Sequence, residues 1–249
     1  MTLENQLTSR KSKGSLAGRV TIVTGASRGI GRAIAALFAA EGAEVVLAAR
    51  DTAQLEKNGG AITQAGGRAL AVPVDVADEG SVANLFAHAS EAFGPVDILV
   101  NAAGAFARAS FAEMPTATWD AVLNVNLRGT FLCCREAFRV MPPRGGMIVN
   151  FSSLSGVPKV EKFPGNSAYV TSKFGVAGLT EALALEGKPL NIRVVAVSPG
   201  AVDTEMLRAA APHLKAGMTP EQMARIVLFL VGPDAAPLHG TNLEIYSNE

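Results

Sequence analysis

The chain has 249 residues, with 22 Lys plus Arg against 22 Asp plus Glu and 49% hydrophobic residues, enough apolar material for one large buried core. Balanced charge offers no field to nucleic acid or an anionic membrane surface, which argues against both as partners. No run approaches the roughly 18 apolar residues of a membrane span. The opening MTLENQLTSRKSKGS carries charge but no apolar targeting segment. It reads as a flexible tail over 1–15, ahead of a single domain over 16–249 in the cytoplasm.

Beyond the tail, short β-branched runs alternate with Ala-rich segments of helical period. That alternation predicts βαβ units and an α/β, doubly wound, seven-stranded parallel sheet with helices on both faces. The predicted strands are 19–25 (RVTIVTG), 43–49, 68–74, 96–102, 146–152, 192–198 and 241–247, and the predicted helices 29–41, 51–65, 78–93, 116–140, 166–187 and 219–231. Ligands of such sheets bind outside the carboxyl ends of the strands.

The first strand runs into TGASRGIG, with Gly25, Gly29 and Gly31 ahead of an amphipathic helix. Glycines at that turn let backbone approach a pyrophosphate, whose charge the helix N-terminus favours. The strand, turn and helix context marks a dinucleotide site, and the absence of a Gly-Lys-Ser/Thr ending excludes a Walker-type loop. Strand two ends in LAARD: Ala49 stands where an acidic residue would bind a ribose 2′-hydroxyl, and Arg50 follows. Arg50, with Arg28 from the glycine turn, suits a 2′-phosphate, so NADP(H) is favoured and NAD(H) is the alternative. Asp51 is open to two readings, a 2′-hydroxyl ligand or the N-cap of the next helix.

Near the other end, AYVTSK puts Tyr169 and Lys173 four residues apart, on one face of a helix. A cation within ~4–6 Å lowers a phenol pKa by roughly 1–3 units, which predicts a Tyr169 drawn down by Lys173 and able to trade protons with a carbonyl or alcohol. Ser153, at the end of the fifth strand, is placed to hydrogen-bond a substrate oxygen. Cys133 and Cys134 are read as reduced core residues. His88, His213 and His239 show no metal-ligand spacing, so no metal is expected.

Taken in order, TGASRGIG, the DV of Asp75 and Val76, NAAG at 101–104, VNL at 125–127, FSSLSG at 151–156, YVTSK at 169–173 and PG at 199–200 resemble the classical short-chain dehydrogenase/reductase family over residues 18–249. The resemblance implies a Rossmann-type fold and a hydride-transferring oxidoreductase acting on a ketone, aldehyde or secondary alcohol. It implies a catalytic set of Asn126, Ser153, Tyr169 and Lys173. Ser153 is chosen over Ser152 and Ser155 by its spacing from Gly156, and Asn126 would hold a relay water for Lys173. It places Gly25, Ser27, Arg28, Gly29, Ile30, Gly31 and Arg50 along the cofactor, Asp75 and Val76 at the adenine, Asn101 and Ala102 at the ribose, and Pro199, Val202 and Thr204 around the nicotinamide, which Tyr169 and Lys173 also touch. Phe106, Ser153, Ser155, Phe163, Val202 and Met206 would line the substrate pocket, and the short segment after strand six implies an open site.

A homotetramer is the family default, built partly on the helix containing Trp119 and the one bearing Tyr169. The chain departs from the family pattern at Ala102, in the long stretch between Ser153 and Tyr169, and at its HGTNLEIYSNE ending. Three rival readings are a 3-oxoacyl carrier-protein reductase, a non-catalytic NADP(H)-binding regulator, and a dehydratase or epimerase. The first lacks a basic docking patch. The regulator would be expected to have lost Tyr169 or Lys173, and the dehydratase or epimerase would alter or supplement the four-residue set.

Overall fold

The computed structural model describes residues 14–141 and 145–247, so the tail expected over 1–15 lies, up to residue 13, outside the described residues. Seven strands, β1 (Val20–Thr24), β2 (Glu44–Ala49), β3 (Arg68–Pro73), β4 (Ile98–Asn101), β5 (Gly146–Phe151), β6 (Ile192–Pro199) and β7 (Asn242–Ile245), form one sheet in the order β3-β2-β1-β4-β5-β6-β7. All pairings are parallel. The chain builds outward from β1 through β2 to β3, then returns to add β4 on the other side of β1. That reversal leaves a crevice at the carboxyl ends of β1 and β4, where such sheets take ligands.

The crossovers are α1 (Gly29–Ala40), α2 (Thr52–Gln64), α3 (Glu79–Phe93), α4 (Thr116–Leu123), α5 (Gly129–Val140), α6 (Ser167–Gly187), a short α7 (Glu205–Ala210) and α8 (Pro220–Val231). One face of the sheet buries Phe38 of α1 and Met223 and Val227 of α8 against Val45, Leu47 and Met147; the other buries Leu85 and Phe86 of α3 and Leu132 of α5 against Ile22, Leu99 and Ile148. Strands covered on both faces must be apolar on both, which is why they read as continuous rather than alternating hydrophobic runs. Cys133 and Cys134 are free and fully buried in the second layer, and burial pushes both thiols up.

Two elements differ from the sequence expectation. The single helix expected over 116–140 is broken by a π-helical turn at Asn124–Arg128, which adds a residue to the turn and redirects Asn126 inward. The segment after β6, where no helix was expected, folds α7. Its ends are fastened by Asp203 N–H donating to Met218 O at 2.8 Å and Gly217 N–H to Ser247 O at 2.9 Å.

Candidate active site

A cleft of about 500 Å³ runs over the β1–α1 turn, lined by Gly25, Ser27, Arg28, Gly29, Ile30, Gly31, Arg50, Asp75, Val76, Ala102 and Thr204 among others. The turn is tight. A Cβ on Gly25 would lie 2.7 Å from Ala102 O, one on Gly31 2.4 Å from Gly25 O, and Gly29 has φ +53°. These positions admit only glycine without rearrangement. Among the described residues no side chain caps α1, whereas Asp51 and Asp78 cap α2 and α3. The first-turn N–H groups of α1 are thus left for an anion in the cleft. Residues that a Cβ would crowd, uncapped amides and a groove of this size fit a pyrophosphate-bridged dinucleotide.

Asn58, which sequence reasoning missed, holds the turn from beneath. It is buried on α2, and its Nδ2 donates to the carbonyls of Ala26 at 3.0 Å and Ser27 at 2.9 Å. Beyond the turn, Asp51 Oδ1 accepts the Gln54 N–H at 3.1 Å, so the N-cap reading holds for that carboxylate. Arg50 is exposed and lines the cleft, joined by Arg32 and Lys57, which the sequence reading did not single out. Arg28 also lines it, with its guanidinium 2.9 Å from Glu205 across the mouth.

Asn101 requires a correction. Its carboxamide does not reach the cleft: buried at the end of β4, it donates to Asn150 Oδ1 at 2.9 Å inside the sheet. Ala102, Ala103 and Gly104 form the cleft wall instead.

A second cleft, about 320 Å³, shares Ile30, Ala102, Gly104, Thr204 and Met206 with the first, so the two are continuous. It brings together Ser153, Tyr169, Lys173, Pro199 and Val202 with Phe106, Ser155, Phe163 and Met206. Leu207, Ala210, Ala211 and Leu214, from α7 and the turn after it, form one wall of this cleft. The Lys173 ammonium lies 5.6 Å from the Tyr169 ring centroid and donates to Phe151 O at 2.7 Å. The Tyr169 and Ser153 hydroxyls share a hydrogen bond, and the Phe106 ring meets the Tyr169 ring edge-on at 5.3 Å.

The three candidate serines separate by position. Ser152 is buried and spends its hydroxyl on Lys173 O at 2.8 Å; Ser153 Oγ faces the phenol and accepts the Ser155 N–H at 3.1 Å. Asn126 is buried beside the site but does not line the cleft. Its carboxamide is fully engaged. Oδ1 accepts the Ala105 N–H at 2.7 Å, and Nδ2 donates to Ala105 O and Ser172 Oγ, each at 2.9 Å. Asn126 thereby ties the loop after β4 to α6.

The electrostatics correct a further expectation. Burial pushes the Tyr169 phenol up, the Ser153 hydrogen bond pulling it partly back. Burial also pushes the Lys173 ammonium down to about 8. Desolvation penalises the charged form of each group, and here it outweighs the attraction between them. The phenol therefore keeps its proton at neutral pH.

Residues 19–215 match the family model described as short chain dehydrogenase. The chain belongs to this family. Relatives include a 3β-hydroxysteroid dehydrogenase of Mediterraneibacter gnavus, 37% identical over 80% of this chain and 72% of that one. The cis-4-hydroxycyclohexanecarboxylate dehydrogenase of Sinomonas cyclohexanicum is 38% identical over 93% of this chain and 96% of its own. Among solved structures, a short chain dehydrogenase from Burkholderia cenocepacia in complex with NADP superposes with a TM-score of 0.86 at 36% identity, covering 93% of this chain and 98% of that one. The chain is thus an oxidoreductase of hydroxyl and carbonyl groups on a Rossmann-like fold.

The glycine turn gives a direct check. Gly31→Ala drives a methyl into the Gly25 carbonyl, so a folded variant, judged by circular dichroism, binds NADPH more weakly by about tenfold or more in a fluorescence titration; unchanged affinity would remove the cleft's claim on the dinucleotide.

Proposed function

We propose that the chain is an NADP(H)-dependent oxidoreductase that interconverts a ring-bearing ketone and its secondary alcohol, with Tyr169 as general acid and base. The observation that carries this reading is the meeting of Ser153, Tyr169 and Lys173 in a cleft continuous with the one over the glycine turn. The nicotinamide, when bound, supplies or accepts the hydride. In reduction, Ser153 Oγ–H holds the carbonyl oxygen and Tyr169 Oη delivers the proton to it. Lys173 lies close enough to steady the phenolate left behind, and a pKa of about 8 keeps it mostly charged at neutral pH. Pro199, Val202 and Thr204 are assigned to the nicotinamide end, and Asp75 and Val76 to the adenine end.

The choice of NADP(H) over NAD(H) rests on Arg50, supported by Arg32 and Lys57 in the same cleft wall, and on the capping duty of Asp51, which diverts the nearest carboxylate from a 2′-hydroxyl. The NADP-bound Burkholderia structure favours the same choice. For the substrate, the apolar side chains Phe106, Phe163, Met206 and Leu207 in a cleft of about 320 Å³ suit a compact hydrocarbon ring. The relatives named for a hydroxysteroid and a hydroxycyclohexanecarboxylate act on ring alcohols of this class. A single catalytic domain, a cytoplasmic location and a homotetramer belong to the same reading. Exposed Phe131 on α5 and Phe174 and Leu185 on α6 supply apolar surface for self-association.

Loss of the reduced-nicotinamide absorbance with cyclic ketones tests the activity. Tyr169→Phe lowers kcat by about 10²- to 10⁴-fold and leaves NADPH affinity essentially unchanged; a variant retaining most of its rate would overturn the proton-transfer role. Arg50→Ala weakens NADPH by about tenfold or more and leaves NADH nearly unaffected; equal weakening of both would reject the 2′-phosphate assignment.

A further inference from the structure

Three charged side chains line the substrate cleft: Lys173, Glu161 and Arg108. Lys173 is committed to the Phe151 carbonyl and the phenol. Arg108 is held by its stem and leaves the end of its guanidinium open. Its Nε donates to Asn166 Oδ1 at 3.1 Å, and Asn166 is buried immediately before α6, one turn ahead of Tyr169. Gly165, at φ +82°, lets the chain close on the arginine stem; a Cβ there would lie 2.8 Å from Arg108 Cγ. Ala109 N–H donates to Gly165 O at 3.1 Å, and the Asn126 carboxamide clamps Ala105 at the other end of the same loop. The Arg108 η nitrogens have no hydrogen-bond or ion-pair partner among the described residues, Glu161 included.

A guanidinium so braced, with its forked N–H groups unfilled, beside a mainly apolar cleft, is built to meet a planar anion. One cation with an acidic residue in the same wall suits a monoanion; a phosphate would call for more positive charge. We propose that Arg108 is the specificity-determining residue of the cleft, binding a carboxylate that the substrate carries on the side of its ring away from the reacting carbon. This rests on the reading of the cleft as a ketone and alcohol site.

The probes are cyclohexanone, 4-oxocyclohexanecarboxylate and its methyl ester, assayed with NADPH in the intact protein and in Arg108→Met and Arg108→Lys. Arg108→Met is expected to lower kcat/KM for the carboxylate by about tenfold or more, almost wholly through KM, and to change the other two by less than about twofold. Arg108→Lys recovers part of the loss, since it restores the charge but not the fork. Equal losses on all three ketones, or none on the carboxylate, would overturn the proposal. Calorimetric binding of unreactive cyclohexanecarboxylate to the NADPH-bound protein decides the matter independently of turnover. Binding that weakens about tenfold in Arg108→Met supports the carboxylate site even if no ketone is reduced, whereas equal binding to both proteins, or binding to neither, rejects it.

Discussion

The Lys173 ammonium donating 2.7 Å to the carbonyl of Phe151 is the contact on which the rest of the site depends. It ties α6 to the last residue of β5 from inside the protein, where Lys173 is only 4% exposed. The same residue is tied a second time, since Ser152 Oγ donates to the Lys173 carbonyl at 2.8 Å. Gly156 makes the approach possible: a Cβ there would lie 2.5 Å from the Lys173 backbone. With strand end and helix joined twice, Ser153 on one and Tyr169 on the other face the same space. A buried amine is costly to keep charged, and the site retains it beside the Ser153 and Tyr169 hydroxyls.

That cost appears in the ionisation of both groups. A lysine whose folded pKa is depressed from 10.5 to about 8 binds fewer protons than the unfolded chain between those values. Its charge therefore opposes folding in full below about pH 8, and stability recovers as pH rises toward 10.5. Tyr169 is displaced upward, so the phenol and the ammonium both carry protons near neutrality. In the proposed reaction that arrangement holds a proton ready for carbonyl reduction, while alcohol oxidation would need the phenol to ionise first. Asn126 contributes by geometry: the π turn that breaks the long helix lets its carboxamide hold the loop that carries Phe106 and Arg108.

The strands and most of the helices were legible because two-sided burial writes itself as continuous apolar runs and the crossovers as helical periods. The glycine turn was legible because TGASRGIG sits between a strand and a helix. Tyr169 and Lys173 were legible because four residues make one helical turn. The unread features depend on partners far along the chain. Asn58 grips Ala26 and Ser27 from the next crossover, and Arg108 is braced by Asn166 across a distant loop. Asn101 turns into the sheet because Asn150 on the neighbouring strand offers it an oxygen, and α7 forms where a six-residue helix has too little periodicity to announce itself. The downward shift expected for Tyr169 failed for a related reason, since spacing reports that a cation is near and says nothing of how much water burial removes.

Titration of the Lys173 amine by NMR on protein with nitrogen-labelled lysine, assigned with Lys173→Met, tests the account most directly. The expected midpoint is near pH 8, with the Tyr169 phenol ionising above the ordinary tyrosine range. A lysine titrating at its ordinary 10.5, beside a phenol ionised near neutrality, would contradict the buried strand-to-helix tie and the proton-loaded resting state derived from it.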